Sequence, residues 1–582
     1  MSAQSAIYNP SQTTSAATGD GFSVPRLTTT GRLAITFTTA DKGMMVYDTT
    51  LDNLFIWNGS AWESVPASGD SSNTQVIFND NGILAGDAGL TYAKTAQRLT
   101  VTGNIDIWNG ANATNTNIAV GRDALGSTAP GAGANTAVGR QAGRSVLTGS
   151  NNAFFGYQAG FGTATGASNV AVGSAALFAN STGGSNVAVG SSALGSNAAG
   201  NSNTCVGASS FQNSTADGNC GLGAGSGLGV IGQFNIAVGV NSLYAATGIH
   251  SGANNIAVGT NAMNSALAVT GSNNVMVGPS AGQSSGSITG SDNIGIGRDT
   301  LRNLTSGPQN IAIGGAALNS VTTGTGNVAI GYNAVNAMTG SSYAIGIGVN
   351  ALRFNLASDN IAVGAAAMNS NTTGINNVAV GRDALAANTT SSGNTAIGHN
   401  ALNASTSASN VAVGSFSSRI QTTGAQNVSV GDATLYSNVS GSNNVALGFA
   451  ALYTLGSGSN NTAVGALALN ICTGSTNTAV GQGAGSGVTS ASTNVFIGAS
   501  AGGTTTTGSD NICIGGAAYA TSSTASNQIS IGSVSYYVGT NGGPNTYYAT
   551  AVTGTVAPPA GATGFWRVII NGTPRKIAVY AD

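Results

Sequence analysis

Residues 169–177 read NVAVGSAAL, and this stretch holds the pattern that decides the fold. The pentapeptide Asn-[Val/Ile/Thr]-Ala-[Val/Ile]-Gly recurs in 25 versions, whose final glycines run from Gly121 to Gly532. Most intervals are 17 residues long, and many of the glycines are followed, two variable residues later, by Ala-Leu or Ala-Met. The rest of each repeat is rich in Thr, Ser, Gly and Asn. Self-similarity at a fixed period indicates an array of stacked structural units.

One repeat of this length suits one coil of a β-solenoid. Side chains alternate between the two faces of a strand, so the two β-branched residues share one face and the alanine takes the other. Glycine ends the strand, Ala-Leu predicts a second short strand on the returning side, and Thr-Gly and Ser-Gly-Ser segments predict the turns. We therefore predict an all-β fold: a parallel β-solenoid or β-roll of about 25 repeats of ~17 residues, with small β domains at both ends.

Two columns of the repeat carry further expectations. The asparagine before each strand would stack on its equivalents, and aligned amides satisfy one another in such ladders; a role as a turn former alone is the open alternative. The recurring alanine predicts the close approach of another backbone. We infer from it that rods associate laterally as a homotrimer, which would bury an alanine column along the array.

Composition limits the possible classes of protein. Charged residues are 6% of the 582 residues, where about 25% is typical. Hydrophobic residues reach 41% and the net charge is −2, which favours a folded chain over a disordered one. The near-zero charge predicts no binding of nucleic acid. No apolar run of membrane-spanning length and no secretory signal is recognised, so we expect no membrane insertion and synthesis without a signal peptide.

The flanks of the array differ from it in composition. Strands are expected at Met44–Asp48, Leu54–Trp57 and Ala61–Val65, and a hairpin is expected to turn near Asn571-Gly572. We divide the chain into a flexible or docking arm at 1–22, a small β module at 23–66, a β lead-in at 67–116, the solenoid shaft at 117–532, and an aromatic β-hairpin cap or tip at 533–582.

Two parts of the sequence resemble known families. The repeats resemble the head repeats of trimeric autotransporter adhesins of the YadA type, which form a trimeric left-handed parallel β-roll. The repeat here is longer and has Asn in place of Ser, and no signal peptide or coiled-coil stalk is recognised. The segments VPRLTTT at 24–30, GMMVYD at 43–48 and NGSAW at 58–62 resemble an N-terminal module of phage tail fibres. That resemblance implies a lead-in to a trimeric shaft.

These resemblances imply a structural virion fibre that extends from a phage tail and contributes to host-surface attachment. Its partners would be its own copies, a baseplate or tail protein at the N-terminal region, and a host glycan or protein; it would lie on the virion surface after assembly in the host cytoplasm. A bacterial adhesin or extracellular fibre subunit is the alternative. A polysaccharide-degrading tailspike would need a carboxylate cluster in a groove, and an ice-binding solenoid would need a regular flat threonine face.

Charged residues in the array give no sign of catalysis. Its eight Asp and eight Arg include three adjacent pairs after repeat glycines, with no Lys or Glu. Because neighbours on a strand point to opposite faces, these pairs make poor acid–base partners, and we predict a solvated surface rim. We predict no enzyme, no catalytic residue and no cofactor. The pairs are Arg122-Asp123, Arg298-Asp299 and Arg382-Asp383.

Histidine and cysteine give no metal motif by spacing. His250 and His399 fall on different coils, and either would offer a metal site only by facing a threefold axis, His399 more readily than His250, which sits in a longer loop; no metal site is assigned. Cys205 and Cys513 occupy the alanine position and are expected to be small buried apolar residues. Cys220 falls one place earlier, on the other strand face, so a disulfide with Cys205 is not expected.

Aromatic residues near the C-terminus are the candidate receptor-binding residues. Exposed aromatic faces suit saccharides, whereas packing in a small β domain is the competing interpretation. The longer repeats between Gly239 and Gly297 are a second place for recognition loops, or else tolerated insertions. The candidate residues are Tyr536, Tyr537, Tyr547, Tyr548 and Trp566.

Overall fold

The computed structural model divides into two compact units, residues 1–218 and 219–582, which are described separately. It describes residues 26–36, 38–64, 74–80, 83–93, 98–101, 105–108, 116–127, 132–245, 247–520, 522–532, 536–540, 547–551, 562–570 and 573–580. No helix among these residues has the length and apolar character needed to cross a membrane. The predicted arm at 1–22 and the turn residues Asn571 and Gly572 lie outside the described residues.

A small four-stranded sheet opens the first unit. Strands β1 and β2 pair in parallel, whereas β2–β3 and β3–β4 pair antiparallel. The Asn58 side chain accepts hydrogen bonds from the backbone N–H groups of Ser60 and Ala61, which forms the predicted turn. The strands expected here are confirmed to within a residue or two. The elements are β1 (Arg26–Leu27), α1 (Thr29–Leu33), a 3-10 turn (Thr39–Asp41), β2 (Met45–Asp48), β3 (Asn53–Trp57) and β4 (Trp62–Ser64).

A buried ion pair holds this sheet to its helix. The Nε atom of Arg32 lies 2.9 Å from Oδ2 of Asp48, and the guanidinium stacks 3.7 Å above the Phe55 ring. Burial would raise the pKa of Asp48, but hydrogen bonds from Arg32, Thr29 and the turn backbone outweigh it and lower that pKa. A buried pair of this kind needs both partners, because removing one leaves an uncompensated charge.

Four further strands lie between this sheet and the repeats in the chain. They form an antiparallel meander in chain order, and the last of them pairs antiparallel with the first strand of the array. These are β5 (Thr74–Asp80), β6 (Ile83–Ala93), β7 (Arg98–Val101) and β8 (Ile105–Trp108).

Each repeat contributes one three-residue strand and pairs in parallel, in register, with the next coil of its unit. The pairing Val170↔Val187, Ala171↔Ala188 and Val172↔Val189 is representative. The predicted parallel solenoid is therefore confirmed. In the first unit the strands are β9 (Ile118–Val120), β10 (Thr136–Val138), β11 (Ala153–Phe155), β12 (Val170–Val172), β13 (Val187–Val189) and β14 (Thr204–Val206).

The second unit contains the longer run of coils. Its strands are β15 (Cys220–Leu222), β16 (Ile236–Val238), β17 (Ile256–Val258), β18 (Val275–Val277), β19 (Ile294–Ile296), β20 (Ile311–Ile313), β21 (Val328–Ile330), β22 (Ile345–Ile347), β23 (Ile361–Val363), β24 (Val378–Val380), β25 (Thr395–Ile397), β26 (Val411–Val413), β27 (Val428–Val430), β28 (Val445–Leu447), β29 (Thr462–Val464), β30 (Thr478–Val480), β31 (Val495–Ile497), β32 (Ile512–Ile514) and β33 (Ile529–Ile531). Two antiparallel hairpins follow: β34 (Tyr536–Thr540) with β35 (Tyr547–Ala551), and β36 (Ala562–Ile570) with β37 (Thr573–Tyr580).

The central alanine of each strand points into its own coil. Ala171, Ala188 and Ala379 are fully buried within a single chain. The inference that this column meets another rod is therefore wrong. The coil is so narrow that its interior has room for only a small side chain on the strand, because the Ala-Leu pair of the same repeat fills the opposite side. The β-branched neighbours point outward instead.

The predicted asparagine ladder is confirmed. The Nδ2 atom of Asn186 donates to Oδ1 of Asn169 at 3.1 Å and to the carbonyl of Gly200 at 2.8 Å. Its backbone N–H also donates to Oδ1 of Asn169, at 3.0 Å. Each amide thus satisfies backbone groups of two coils that would otherwise be buried without partners. Ala344 interrupts the ladder, and there Asn360 bonds to Oδ1 of Asn355 instead.

The returning side of the coil is not a strand, which corrects the second strand expected at Ala-Leu. We call the five residues after each repeat glycine the arc. Its second and fourth residues adopt left-handed backbone angles even when they carry side chains, as at Ala175 (φ 55°) and Leu177 (φ 53°). The arc is a run of tight turns that places the third and fourth side chains inside, where Ala176 and Leu177 are fully buried.

Candidate functional site

The candidate receptor residues at the C-terminus lie on two separate hairpins. Tyr536 and Tyr537 are on β34, and Tyr547 and Tyr548 are on β35. The register pairs Tyr536 with Ala551 and Thr540 with Tyr547, so the two tyrosine pairs sit at opposite ends of the hairpin. Trp566 belongs to β36, opposite Ile577. The backbone therefore does not align the tyrosines across the strands, and their role in binding stays a prediction.

The two histidines have different surroundings. His250 is buried inside a longer coil, next to Val230 of the preceding coil. Burial lowers its pKa to about 4, and a backbone group of Tyr244 opposes this only partly. His399 lies on the outer surface of an arc, within reach of Arg382. Over the part of the chain that the structure describes, no group of three or more His, Cys, Asp or Glu side chains could hold a metal ion.

None of the four cysteines is part of a disulfide. Cys205 and Cys513 are buried at the alanine position, as expected, and burial raises the pKa of the Cys513 thiol to about 11. Cys472 is also buried and its thiol pKa is likewise raised, to about 11. Cys220 is half-buried on the outward side of β15. Thiols with a raised pKa make weak nucleophiles at neutral pH.

The adjacent Arg–Asp pairs lie in the arc, not on a strand. Their side chains do not point to opposite faces, because each Asp takes the second, left-handed position of the turn, as Asp383 does with φ 56°. The Nε atom of Arg382 lies 3.8 Å from Oδ2 of Asp383, and the Arg382 side chain is 65% exposed. The same separation recurs at the pairs of Arg122 and Arg298. They form exposed ion pairs of small energetic value.

The strand side of the coil is an outward apolar surface. We call the first and third residues of each strand the strand face. These positions hold Val, Ile and Thr in most coils and stay partly exposed, as at Ile361 (37%) and Ile397 (40%). Coil after coil presents the same two columns. Contiguous exposed apolar surface of this kind usually marks a contact with another protein.

The arc is different in character, because it holds the arginines and many of the aromatic side chains. All eight arginines of the array lie at the first or fifth arc position. The described contacts between arginines and aromatic rings in the coils also fall on the arc or directly beside it. The first unit shows Phe161 stacked on Phe178 with ring centroids 5.0 Å apart, and Arg140 lies 4.9 Å from the Tyr157 ring.

The turn threonines do not form an open binding face. Their hydroxyls donate to carbonyls of the next coil, as Thr372 does to Thr389 at 2.9 Å and Thr489 to Thr506 at 3.1 Å. Leu356 and Val439 interrupt the column. A regular flat threonine face, which an ice-binding solenoid needs, is therefore not present in the described turns.

Comparison with known proteins identifies one region. Residues 4–77 match the family model of a phage tail-like trimerisation region. No curated protein and no solved structure matches the chain. A trimerisation region ahead of a parallel β-solenoid fits a phage tail-fibre-like protein, and it supports a structural role in a tail fibre and a homotrimeric assembly. The likeness to YadA-type heads is a resemblance of the repeats alone.

Proposed function

We propose that three copies of this chain form a non-catalytic phage tail fibre that contributes to attachment of the virion to the host surface. The observation that carries the proposal is the match of residues 4–77 to a phage tail-like trimerisation region, which is followed by the repeat array. On this proposal the fibre is part of the virion surface, and the N-terminal region joins it to a tail or baseplate protein.

The strand face supplies the contact between subunits in this proposal. The alanine column is already buried within each chain, so the outward valines and isoleucines are the apolar surface that remains for lateral packing. Burying apolar surface stabilises an assembly by about 25 cal/mol per Å². A small contribution to the free energy of association from each coil, repeated along the second unit, adds up to a large total in which no single contact dominates.

The absence of catalysis is part of the proposal and has a physical basis. Most enzymes that hydrolyse polysaccharides use two carboxyl groups that flank the bond to be cleaved. In the described arcs, the adjacent carboxylates Asp123, Asp299 and Asp383 each lie beside an arginine on an exposed surface. Such carboxylates have the environment of surface ion pairs, not that of a general acid.

The mass of the purified full-length protein tests the assembly. Light scattering is expected to give about 169 kDa, which is three times the chain mass of 56.4 kDa, and negative-stain images are expected to show elongated particles. A stable monomer at micromolar concentration would overturn the homotrimer. Incubation with capsular and cell-wall polysaccharides, followed by an assay for new reducing ends, is expected to show no cleavage; a steady release would identify a tailspike.

Attachment is tested separately with fluorescently labelled fibre and a panel of bacterial strains. The proposal expects saturable adsorption to some strains, which an excess of unlabelled fibre competes away. A trimer that adsorbs to none of them at micromolar concentration would limit the role of the protein to a spacer.

A further inference from the structure

Five consecutive coils of the second unit place aromatic rings and guanidinium groups along their arcs. We call this set the aromatic ladder. Its members come from the coils that begin at Gly381, Gly398, Gly414, Gly431 and Gly448, and coils repeat at roughly 4.8 Å. The aromatic ladder consists of Arg382, His399, Phe416, Arg419, Tyr436 and Tyr453.

The first half of the aromatic ladder joins a guanidinium to two rings. The Nη2 atom of Arg382 lies 2.6 Å from Nε2 of His399. The His399 ring meets Phe416 edge to face, with centroids 5.0 Å apart and planes at 74°. Asn400 also reaches Nε2 of His399, at 2.9 Å. These contacts fix the side chains before any ligand arrives.

The second half is built around Arg419. Its guanidinium lies 5.4 Å from the Phe416 ring and 5.7 Å from the Tyr436 ring, and Nη1 donates to the Tyr436 hydroxyl at 2.6 Å. Tyr436 stacks on Tyr453 with centroids 5.0 Å apart and planes at 11°. A guanidinium held between rings loses less conformational entropy on binding a ligand than a free arginine does.

The repeat does not need these residues for its own folding. The fifth arc position is Asn in several coils, including Asn319, Asn336 and Asn369, so a coil closes without an arginine or an aromatic ring there. The interior beneath the aromatic ladder departs from the common pattern: Ser429 takes the place of the strand alanine, and Ser417 donates to its hydroxyl at 2.7 Å. Local departures from a consistent pattern concentrate at functional sites.

We propose that the aromatic ladder binds a saccharide chain that carries carboxylate groups. The proposal rests on the attachment function above and gives it a location. Aromatic rings offer apolar surface to the C–H groups of sugar rings, and a guanidinium fork matches a carboxylate with two parallel hydrogen bonds. The array uses arginine as its only strong cation and contains no lysine, which favours this planar mode of recognition over a diffuse positive charge.

The nearest recorded carboxylate makes only a long contact with the guanidinium of Arg382. Asp383 lies 3.8 Å from its Nε atom, while Nη2 contacts His399. Asp432 is exposed on the coil of Tyr436 and can accept from sugar hydroxyls. The set of partners therefore includes donors, an acceptor and apolar rings, all on one side of successive coils.

The test uses the full-length trimer and printed arrays of carboxylated and neutral bacterial polysaccharides, with alginate and dextran as defined probes. Arg419→Asn and Tyr436→Asn put the common repeat residue at the fifth arc position. The matched controls are Arg302→Asn and Tyr244→Asn, which make the same changes at the same position outside the aromatic ladder.

We expect the intact fibre to bind at least one carboxylated polysaccharide, and both ladder variants to weaken that binding about tenfold or more, the equivalent of 1.4 kcal/mol. The controls should bind as the intact fibre does. No binding to any carboxylated polymer, binding to neutral polymers alone, or unchanged binding by both ladder variants would each overturn the proposal. If the ladder variants adsorb to cells with the same affinity as the intact fibre, the proposed attachment function stands and only the assignment of the binding site to the aromatic ladder fails.

Discussion

The strand side and the arc of each coil follow different rules, although they belong to the same 17-residue repeat. Asparagine, alanine and glycine on the strand side change little from coil to coil, because each meets the same atom type in the coils above and below. The arc accepts Ser, Asn, Asp, Arg, Tyr and Phe at its outer positions. A stacked array therefore keeps its ladder on one side and is free to vary its chemistry on the other.

The sharpest contrast is between two glycines of one repeat. Gly398 ends a strand with φ +139°, and a Cβ there would collide with the carbonyl of Gly414. Gly393 has φ +71° with open space around it. We expect Gly398→Ala to cost about 4 kcal/mol, since backbone strain and a collision add. Thermal unfolding and hydrogen exchange of the adjacent coils measure the loss.

Gly393→Asn is the matched control for that substitution. Asn376 and Ser409 hold the equivalent position in the neighbouring coils with φ 57° and 61°. Its stability should stay within about 0.5 kcal/mol of the parent. Equal effects of the two substitutions would show that the end of the strand is no more constrained than the turn before it.

Removing one rung of the asparagine ladder should have the next largest effect. Asn377 donates through Nδ2 to the Ser391 carbonyl at 2.9 Å and accepts the Asn394 N–H at 2.9 Å. Asn377→Ala leaves the buried Asn394 N–H without a partner and takes one of two donors from the Ser391 carbonyl, which Asn388 still reaches at 3.0 Å. We expect a loss of about 3 kcal/mol by thermal unfolding. Asn388→Ser, in the variable interior column where Ser405 occurs naturally, should lose only about 1 kcal/mol.

His250 makes one of the longer coils sensitive to pH. Burial lowers the pKa of His250 to about 4 from 6.5, and a backbone group of Tyr244 offsets this only in part. The folded-state pKa lies below the unfolded one, so the unfolded chain binds more protons between pH 6.5 and 4. This stability is present above pH 6.5 and is lost as the pH falls toward 4, by roughly 2–3 kcal/mol.

His250→Val separates this effect from general acid denaturation. Val230 pairs with His250 in the adjacent coil, so valine has a precedent in this column. We expect the variant to lose less stability than the parent between pH 7 and pH 4.5 in thermal scans. Parallel curves for the two proteins would mean that His250 does not cause the acid sensitivity.

Much of the strand side could be predicted from the sequence. The fixed interval, the Asn-x-Ala-x-Gly pentapeptide and the cysteines at the alanine position led to the correct coil, ladder and buried thiols. Alternation along a strand shows that valine and alanine face opposite ways, but it does not say which face is inside. That depends on how much space the arc fills, and Leu177 and its equivalents fill it.

The arc could not be predicted in the same way. Single-residue preferences disfavour left-handed angles at leucine and alanine, and only stacking against neighbouring coils imposes them. The aromatic ladder was missed because its members lie about 17 residues apart and look isolated in the chain. Aligning the repeats on their glycines would have revealed that every arginine of the array falls at the first or fifth arc position.

The smallest expected loss of stability comes from a contact between a strand residue and an arc residue. Phe496 replaces the strand alanine. Gly485 and Gly502 replace leucine at the fourth position of the arcs before and after this strand in the chain. A Cβ at Gly502 would collide with the Phe496 ring. Because Leu177 adopts the same backbone region, Gly502→Leu adds bulk without adding strain, and we expect it to cost about 2 kcal/mol by overpacking.

A double-mutant cycle decides whether this exchange is real compensation. Phe496→Ala alone leaves a cavity, whereas Phe496→Ala with Gly502→Leu restores the common Ala and Leu and refills it, so the double variant should be more stable than Phe496→Ala. The first unit repeats the arrangement with Phe154 between Gly143 and Gly160. If the losses in unfolding free energy of the two single variants add in the double variant, the strand side and the arc vary independently. If the double variant is more stable than that sum, the side chain inside the coil limits which residues the arc can have.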